Sequence, residues 1–326
     1  MDNRQIFSFL SKAVARNQRC VLVSVASVSG SSMRDPGAHM AISEDGKFTG
    51  SLSGGCIEAA VVAEALDVIR ENEPRITRFG EGSAYLDIRL PCGGGLDIHF
   101  LPMTKSDLAD RCLDAIRERK PFGLRLPVLG GEAAFVADGL ETRFLRKDQI
   151  VEIGHQPVPR LLIIGHGAAS TKVAELGTLM KMDVAFHSSD QNLVDEMHAL
   201  GLAGDLLRTT RDTDQLTSDP WTAIIFMFHD HDWEGHLMAH MLKLPHFYFG
   251  AMGGRQAHAT RIETLASLAV PNDQIERIHA PIGLFHSSRD PETLAMSILA
   301  EVTAKFHDIR LLESSRTDSS GNADQT

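Results

Sequence analysis

The stretch RLLIIGHGAASTKVAELGTLMKMDVAFHSSD, residues 160–190, constrains this chain more than any other segment. An apolar run of strand length ends at Gly165-His166-Gly167, a helical segment follows, and a second apolar run closes it. Strand, glycine turn, helix and strand in that order form the opening unit of a Rossmann-like parallel sheet, because parallel strands need a crossover and the helix supplies it. The rhythm then repeats. WTAIIFMFHD reads as a strand, DWEGHLMAHMLK as a helix, and HFYFGAMGG as a strand ending at Gly253-Gly254-Arg255. Asp290 as N-cap, Pro291 at the first helical position and Glu292 in the first turn mark the start of the last helix.

The preceding half lacks this alternation. An amphipathic N-terminal helix leads into RCVLVSVASV, a β-branched run that reads as a buried strand. A turn-rich loop, SGSSMRDPGAHM, and a hairpin turning at Asp45-Gly46 come next. Gly54-Gly55-Cys56 is expected to open a helix through about Ile69, followed by strands near Arg75–Phe79 and Leu96–Leu101. Residues 104–156 read as one helix and two or three strands, and prolines punctuate the boundary at Ile153–Arg160. The fold class is therefore α/β, with an N-terminal α+β domain over 1–156 and a Rossmann-like parallel-sheet domain over 157–306. The polar residues 307–326 read as a disordered tail.

Composition narrows the function. A net charge of -11 with no basic stripe argues against nucleic acid as a partner. No apolar run reaches the roughly 20 residues that span a bilayer, so no membrane role is expected. The N-terminal helix lacks the apolar core and cleavage site of a signal peptide. The four cysteines, Cys20, Cys56, Cys92 and Cys112, are too widely spaced for a disulfide framework, which points to free thiols in the reducing cytoplasm.

Two of those cysteines abut glycine runs. Cys56 follows Gly54-Gly55, and Cys92 precedes Gly93-Gly94-Gly95. Glycines let a ligand approach the backbone, and a helix start offers N–H donors and a field that favours thiolate or phosphate. Glu58 in the first turn reads as a hydrogen-bonding, acid-base or dipole-complementing group. Ser31, Ser32 and Arg34 add hydroxyls and a guanidinium suited to a phosphate or a polar heterocycle. Tight turns with small buried cysteines are the competing reading.

In the second half, Gly165 and Gly167 keep two glycines of the dinucleotide fingerprint and Ser170 replaces the third. Ser188 occupies the position expected of a ribose-holding acid, with Asp190 two residues late. An NAD(P)-dependent oxidoreductase using this turn is the alternative function. A metal-dependent hydrolase on His229, Asp230, His236 and His240 is a third reading, although the His-Glu-x-x-His order is absent.

Taken together, GSSMRDPGAHMAISEDGKFTGSLSGGCIE, LPCGGGLDIHF, FYFGAMGGRQAHATRIETL and RIHAPIGLFHSSRDPETLAMSILAEV resemble the xanthine dehydrogenase accessory factors, the XdhC/CoxI family, from about Phe7 to Val302. The resemblance implies a chaperone rather than a catalyst. Its cargo would be the molybdenum cofactor, molybdopterin-ligated molybdenum, kept sulfurated and delivered to a molybdenum hydroxylase apoenzyme such as xanthine dehydrogenase. It also implies a cysteine desulfurase as a working partner and a homodimer. Cys92 is then the first candidate for contacting the cofactor and Cys56 the second. Gly54, Gly55 and Cys56 would shape the pocket floor, Glu58, Gly93 and Gly94 are further cofactor-binding candidates, and Ser31, Ser32 and Arg34 would engage the phosphate or pterin edge. Gly165 and Gly167 remain candidates for a nucleotide in the Rossmann-like half. The chain departs from the family pattern at Met33, at Gly253-Gly254-Arg255 and at Gly283–Ser287.

Overall fold

The computed structural model describes residues 3–321 except 31–33, 54, 56, 84–92, 229–232, 286–287 and 289, with side chains described through residue 309. The chain divides into two compact units, Met1–Pro157 and Val158–Thr326.

The N-terminal unit runs α1 (Asn3–Ala15), β1 (Cys20–Ser29), β2 (His39–Ser43), β3 (Phe48–Gly50), α2 (Glu58–Glu71), β4 (Arg75–Gly80), β5 (Gly95–Met103), α3 (Asp107–Arg117), β6 (Phe122–Pro127), β7 (Ala134–Ala137), β8 (Arg143–Leu145) and β9 (Ile150–His155). Its main sheet is antiparallel in the order β3-β2-β1-β5-β4, and a second antiparallel sheet is ordered β7-β6-β9-β8. The continuous apolar run of β1 follows from burial on both faces. Val21, Val23 and Val25 pack with Val61, Ala65 and Val68 of α2. Cys20, Leu22 and Ala26 face the other way, into a core shared with Phe7 and Leu10 of α1 and Leu124 and Ile153 of the second sheet. A polar chain crosses that second core: Ser24 Oγ lies 2.8 Å from His39 Nδ1, His39 Nε2 lies 3.2 Å from His155 Nε2, and His155 Nδ1 lies 3.0 Å from Asn3 Nδ2.

Strand direction in the main sheet decides where its loops emerge. The C-terminal ends of β1, β3 and β4 and the N-terminal ends of β2 and β5 lie at one end of the sheet. The segments leaving β1, entering α2 and entering β5 therefore start or finish at that single edge.

The C-terminal unit runs β10 (Arg160–Gly165), α4 (Ala168–Leu179), β11 (Asp183–His187), α5 (Gln191–Ala199), β12 (Thr222–Met227), α6 (Glu234–Met241), β13 (Tyr248–Ala251), α7 (Arg255–Ser267), α8 (Asn272–Ile275) and α9 (Pro291–Gly321). Its sheet is wholly parallel in the order β11-β10-β12-β13. Alternate residues of β10 serve opposite faces. Leu161 and Ile163 join Val173 of α4 and Ile298 of α9, while Leu162 and Ile164 join Leu237 of α6 and Leu265 of α7. This is the doubly wound arrangement expected of a Rossmann-like unit. Asp290 caps α9 by accepting from Thr293 N at 2.7 Å, and the helix continues to Gly321 through residues whose composition reads as a tail.

Candidate functional site

Of the N-terminal candidates, Arg34, Gly55, Glu58, Gly93 and Gly94 fall within the described residues; Ser31, Ser32, Gly54, Cys56 and Cys92 lie outside them. The two remaining cysteines are core residues. Burial pushes the Cys20 thiol up to about 12 and raises that of Cys112 as well, so neither offers a thiolate. The other two thiols of this unit are those of Cys56 and Cys92.

The helix following Gly54-Gly55-Cys56 begins at Glu58, which lies in its first turn as the sequence predicts, and the Glu58 carboxylate turns back onto the preceding loop. It accepts from the hydroxyls of Ser51 and Ser53, both at 2.8 Å. It also accepts from the backbone N–H groups of Leu52, Ser53, Gly55 and Ile57 at 2.9–3.2 Å. Burial alone would raise this carboxyl, but the hydroxyls and N–H groups outweigh it and hold Glu58 at about 2. Its role in the loop is that of a permanently ionised clamp.

On the opposite loop the three glycines have separate reasons. Gly93 has φ +73°, which L side chains rarely adopt. Gly30 and Gly94 touch backbone to backbone: a Cβ on Gly30 would stand 3.2 Å from the Gly94 Cα. Gly95 leaves room for a residue the sequence reading passed over, since any side chain there would collide with the Arg78 guanidinium. Arg78 pairs across β4 and β5 with Asp97, Nη1 to Oδ1 at 3.0 Å. It also donates to Ser29 Oγ at 2.6 Å and to the Glu81 carbonyl at 2.7 Å. Asp97 further accepts from Ser27 Oγ at 2.5 Å and Arg146 Nη2 at 2.7 Å. Burial works to raise the Asp97 carboxyl, but these donors prevail and lower it. Two guanidiniums, those of Arg78 and Arg146, thus share one carboxylate at this edge.

In the C-terminal unit, Gly165 ends β10 beside Met227, and a Cβ there would stand 2.5 Å from the Met227 carbonyl carbon. Gly167 has φ +89° at the start of α4. The two glycines thus sit where a doubly wound sheet receives ligands, between adjacent strand ends whose crossovers diverge. The partners for a ribose are less favourable. Ser188 is fully buried and its hydroxyl accepts from Asp190 N at 3.1 Å, while the Asp190 carboxylate caps α5 through Asn192 N at 2.9 Å.

His236 and His240 line a cleft of about 310 Å³ with Arg211 and Lys243, a cationic setting that repels a metal ion. His229 and Asp230 lie outside the described residues, and among the described residues no three His, Cys, Asp or Glu converge for a metal. A recess of about 750 Å³ beside α4 and α9 is mostly aliphatic, with Leu176, Met180, Met296 and Leu299, and contains none of the candidates. Among the described residues no helix is long and apolar enough to cross a membrane.

An antiparallel unit that gathers glycine loops at one edge, followed by a parallel Rossmann-like unit, defines a two-part α/β protein. Residues 13–80 match the XdhC and CoxI family, and residues 161–302 match the XdhC Rossmann domain. The chain is 32% identical over 303 residues to the molybdenum cofactor insertion chaperone PaoD of Escherichia coli, covering 93% of this chain and 88% of that protein. It is 20% identical to the uncharacterized protein YqeB of Escherichia coli, covering 91% of this chain but 45% of that one. Its fold resembles a solved structure described as a xanthine dehydrogenase from Bacillus halodurans, with TM-score 0.76, 19% identity and coverage of 94% and 96%. This chain belongs to the XdhC and CoxI family.

Proposed function

We propose that this protein is a molybdenum cofactor chaperone. It binds molybdopterin-ligated molybdenum in the N-terminal unit, protects the sulfurated form, and delivers it to a molybdenum hydroxylase apoenzyme such as xanthine dehydrogenase. The observation that carries this reading is the similarity, nearly end to end, to the Escherichia coli insertion chaperone. The chemistry of the candidate edge agrees with it. A phosphate-bearing, dithiolene-bearing cargo needs positive charge, close backbone approach and polarisable sulfur. The Arg78 guanidinium and the glycine backbones beside it offer the first two, and Cys92 and Cys56 are the thiols of the loops at that edge. A cysteine desulfurase as sulfur donor, a homodimeric state and a cytoplasmic location belong to the same proposal.

The test is to purify the full chain from cells that make molybdopterin, oxidise a sample and measure the fluorescent pterin derivative. Wild type is expected to carry pterin and Cys92→Ser to carry several-fold less. Pterin absent from wild type under saturating supply would remove the proposal. The alternative, an NAD(P)-dependent oxidoreductase, has the Gly165–Gly167 turn in its favour and the buried Ser188 against it. It requires saturable nicotinamide-cofactor binding that Gly167→Asp abolishes.

A further inference from the structure

We propose that Arg78, seated on Asp97 at the mouth of the β1 and β5 loops, anchors the phosphate group of the cargo. This inference rests on the chaperone reading for the identity of that cargo.

Four observations single out Arg78 from the chain's other arginines. First, its guanidinium is held on three sides, by the Asp97 carboxylate, the Ser29 hydroxyl and the Glu81 carbonyl. A guanidinium carries five N–H donors, so donors remain beyond these three. Its side chain is 32% exposed, which leaves them a route to a ligand. A planar fork that is already oriented loses little freedom on binding a phosphate.

Second, the backbone has been cleared for it. Gly95 is the residue whose side chain would displace this guanidinium. The third glycine after Cys92 needs no positive φ; it leaves room for the Arg78 guanidinium and for the Glu81 carbonyl that this guanidinium binds. Third, Arg78 lies where the candidate loops meet. Ser29 immediately precedes the Gly30 that touches Gly94, and Gly95 immediately follows it. Fourth, Arg78 does not have the Asp97 carboxylate to itself, because Arg146 shares it at 2.7 Å, so its charge is only partly offset by that partner. A cross-strand pair whose only task was to join β4 to β5 would not need the second arginine.

The test uses the full chain purified from cells unable to make molybdopterin. Inorganic phosphate and molybdenum cofactor are separate probes. Phenylglyoxal labelling of arginines is followed by mass spectrometry, with Arg125 and Arg143, both paired to Glu152, as internal references. Phosphate at about four times its dissociation constant is expected to slow labelling of Arg78 about fivefold, by simple occupancy, and to leave the references unchanged. Cofactor is expected to protect at lower concentration. Arg78→Gln is expected to weaken cofactor binding about tenfold or more, the loss of a charge-assisted bidentate contact, with Arg78→Lys intermediate.

Arg78 labelled at the same rate with and without either probe would overturn the proposal, as would a folded Arg78→Gln that binds cofactor with wild-type affinity. If Arg78→Gln does not fold, the labelling of wild type decides alone. Cofactor that binds wild type without protecting Arg78 removes the anchor and leaves the chaperone reading standing. Phosphate protection in a protein that binds no cofactor does the reverse.

Discussion

Two glycine-lined sites occupy the two units, and they differ in what surrounds the glycines. At the N-terminal edge, Gly30, Gly94 and Gly95 sit beside a guanidinium with donors to spare and a carboxylate shared between two arginines. At the C-terminal turn, Gly165 and Gly167 adjoin groups that satisfy one another: Ser170 Oγ donates to the Gly167 carbonyl, and Ser188 and Asp190 bond within their own loop. Close backbone approach is common to both. Only the first places a guanidinium with remaining donors beside the glycines, which is what the proposed anchoring of an anion there requires.

The comparison can be strained most severely in the C-terminal unit. Arg261 and Glu234 form a buried ion pair at 3.0 Å, with side chains 2% and 3% exposed. Arg261→Met is expected to cost about 3–5 kcal/mol, because it leaves the buried carboxylate without its guanidinium. Replacing both partners with apolar residues should recover most of that loss, and chemical denaturation of the single and double variants checks both statements.

A second contrast sets Gly165→Ala against Gly95→Ala. The first drives a Cβ into the fixed Met227 backbone and should cost on the order of 3 kcal/mol in stability. The second meets the movable end of Arg78 as well as the Glu81 carbonyl, so it should cost about 1 kcal/mol while weakening phosphate protection. Thermal melts beside the labelling assay distinguish a damaged fold from a displaced anchor.

The Glu58 clamp predicts an intermediate effect. Glu58→Ala removes the acceptor for six donors in residues 51–57 and should destabilise the unit by about 2 kcal/mol, with faster amide exchange in that loop. With its folded value lowered to about 2, Glu58 contributes stability that is complete above the ordinary carboxyl range and lost as pH falls through about 2.

The smallest effect is a pH slope. Burial holds His39 and His99 neutral down to about 4 and depresses His155 well below its ordinary value. The unfolded chain titrates these rings near 6.5, so between 6.5 and 4 it binds more protons than the folded protein. Stability should therefore fall as pH drops through that window. Melting temperatures at pH 7 and pH 5 test the sign.

What the sequence disclosed follows from local pattern. The apolar runs of β1 and β10 announce strands buried on both faces, and Asp290-Pro291 announces a helix start. The second N-terminal sheet was legible only as two or three strands, because β7 and β8 are short and half-exposed. Glu58 was legible in the first turn of α2, but its return to six donors of the preceding loop was not, because those contacts depend on how that loop folds. Arg78 was missed for a different reason. In RITRFG it looks like any outward residue of an edge strand, and its partners Ser29 and Asp97 come together only through strand pairing.

Hydrogen–deuterium exchange on the full chain, with and without bound molybdenum cofactor, tests most directly whether cargo sits at the N-terminal edge. Protection is expected in peptides spanning 29–34, 51–58 and 93–97, with 165–190 unchanged. Protection confined to 165–190 would contradict this account and assign the cargo to the Rossmann turn.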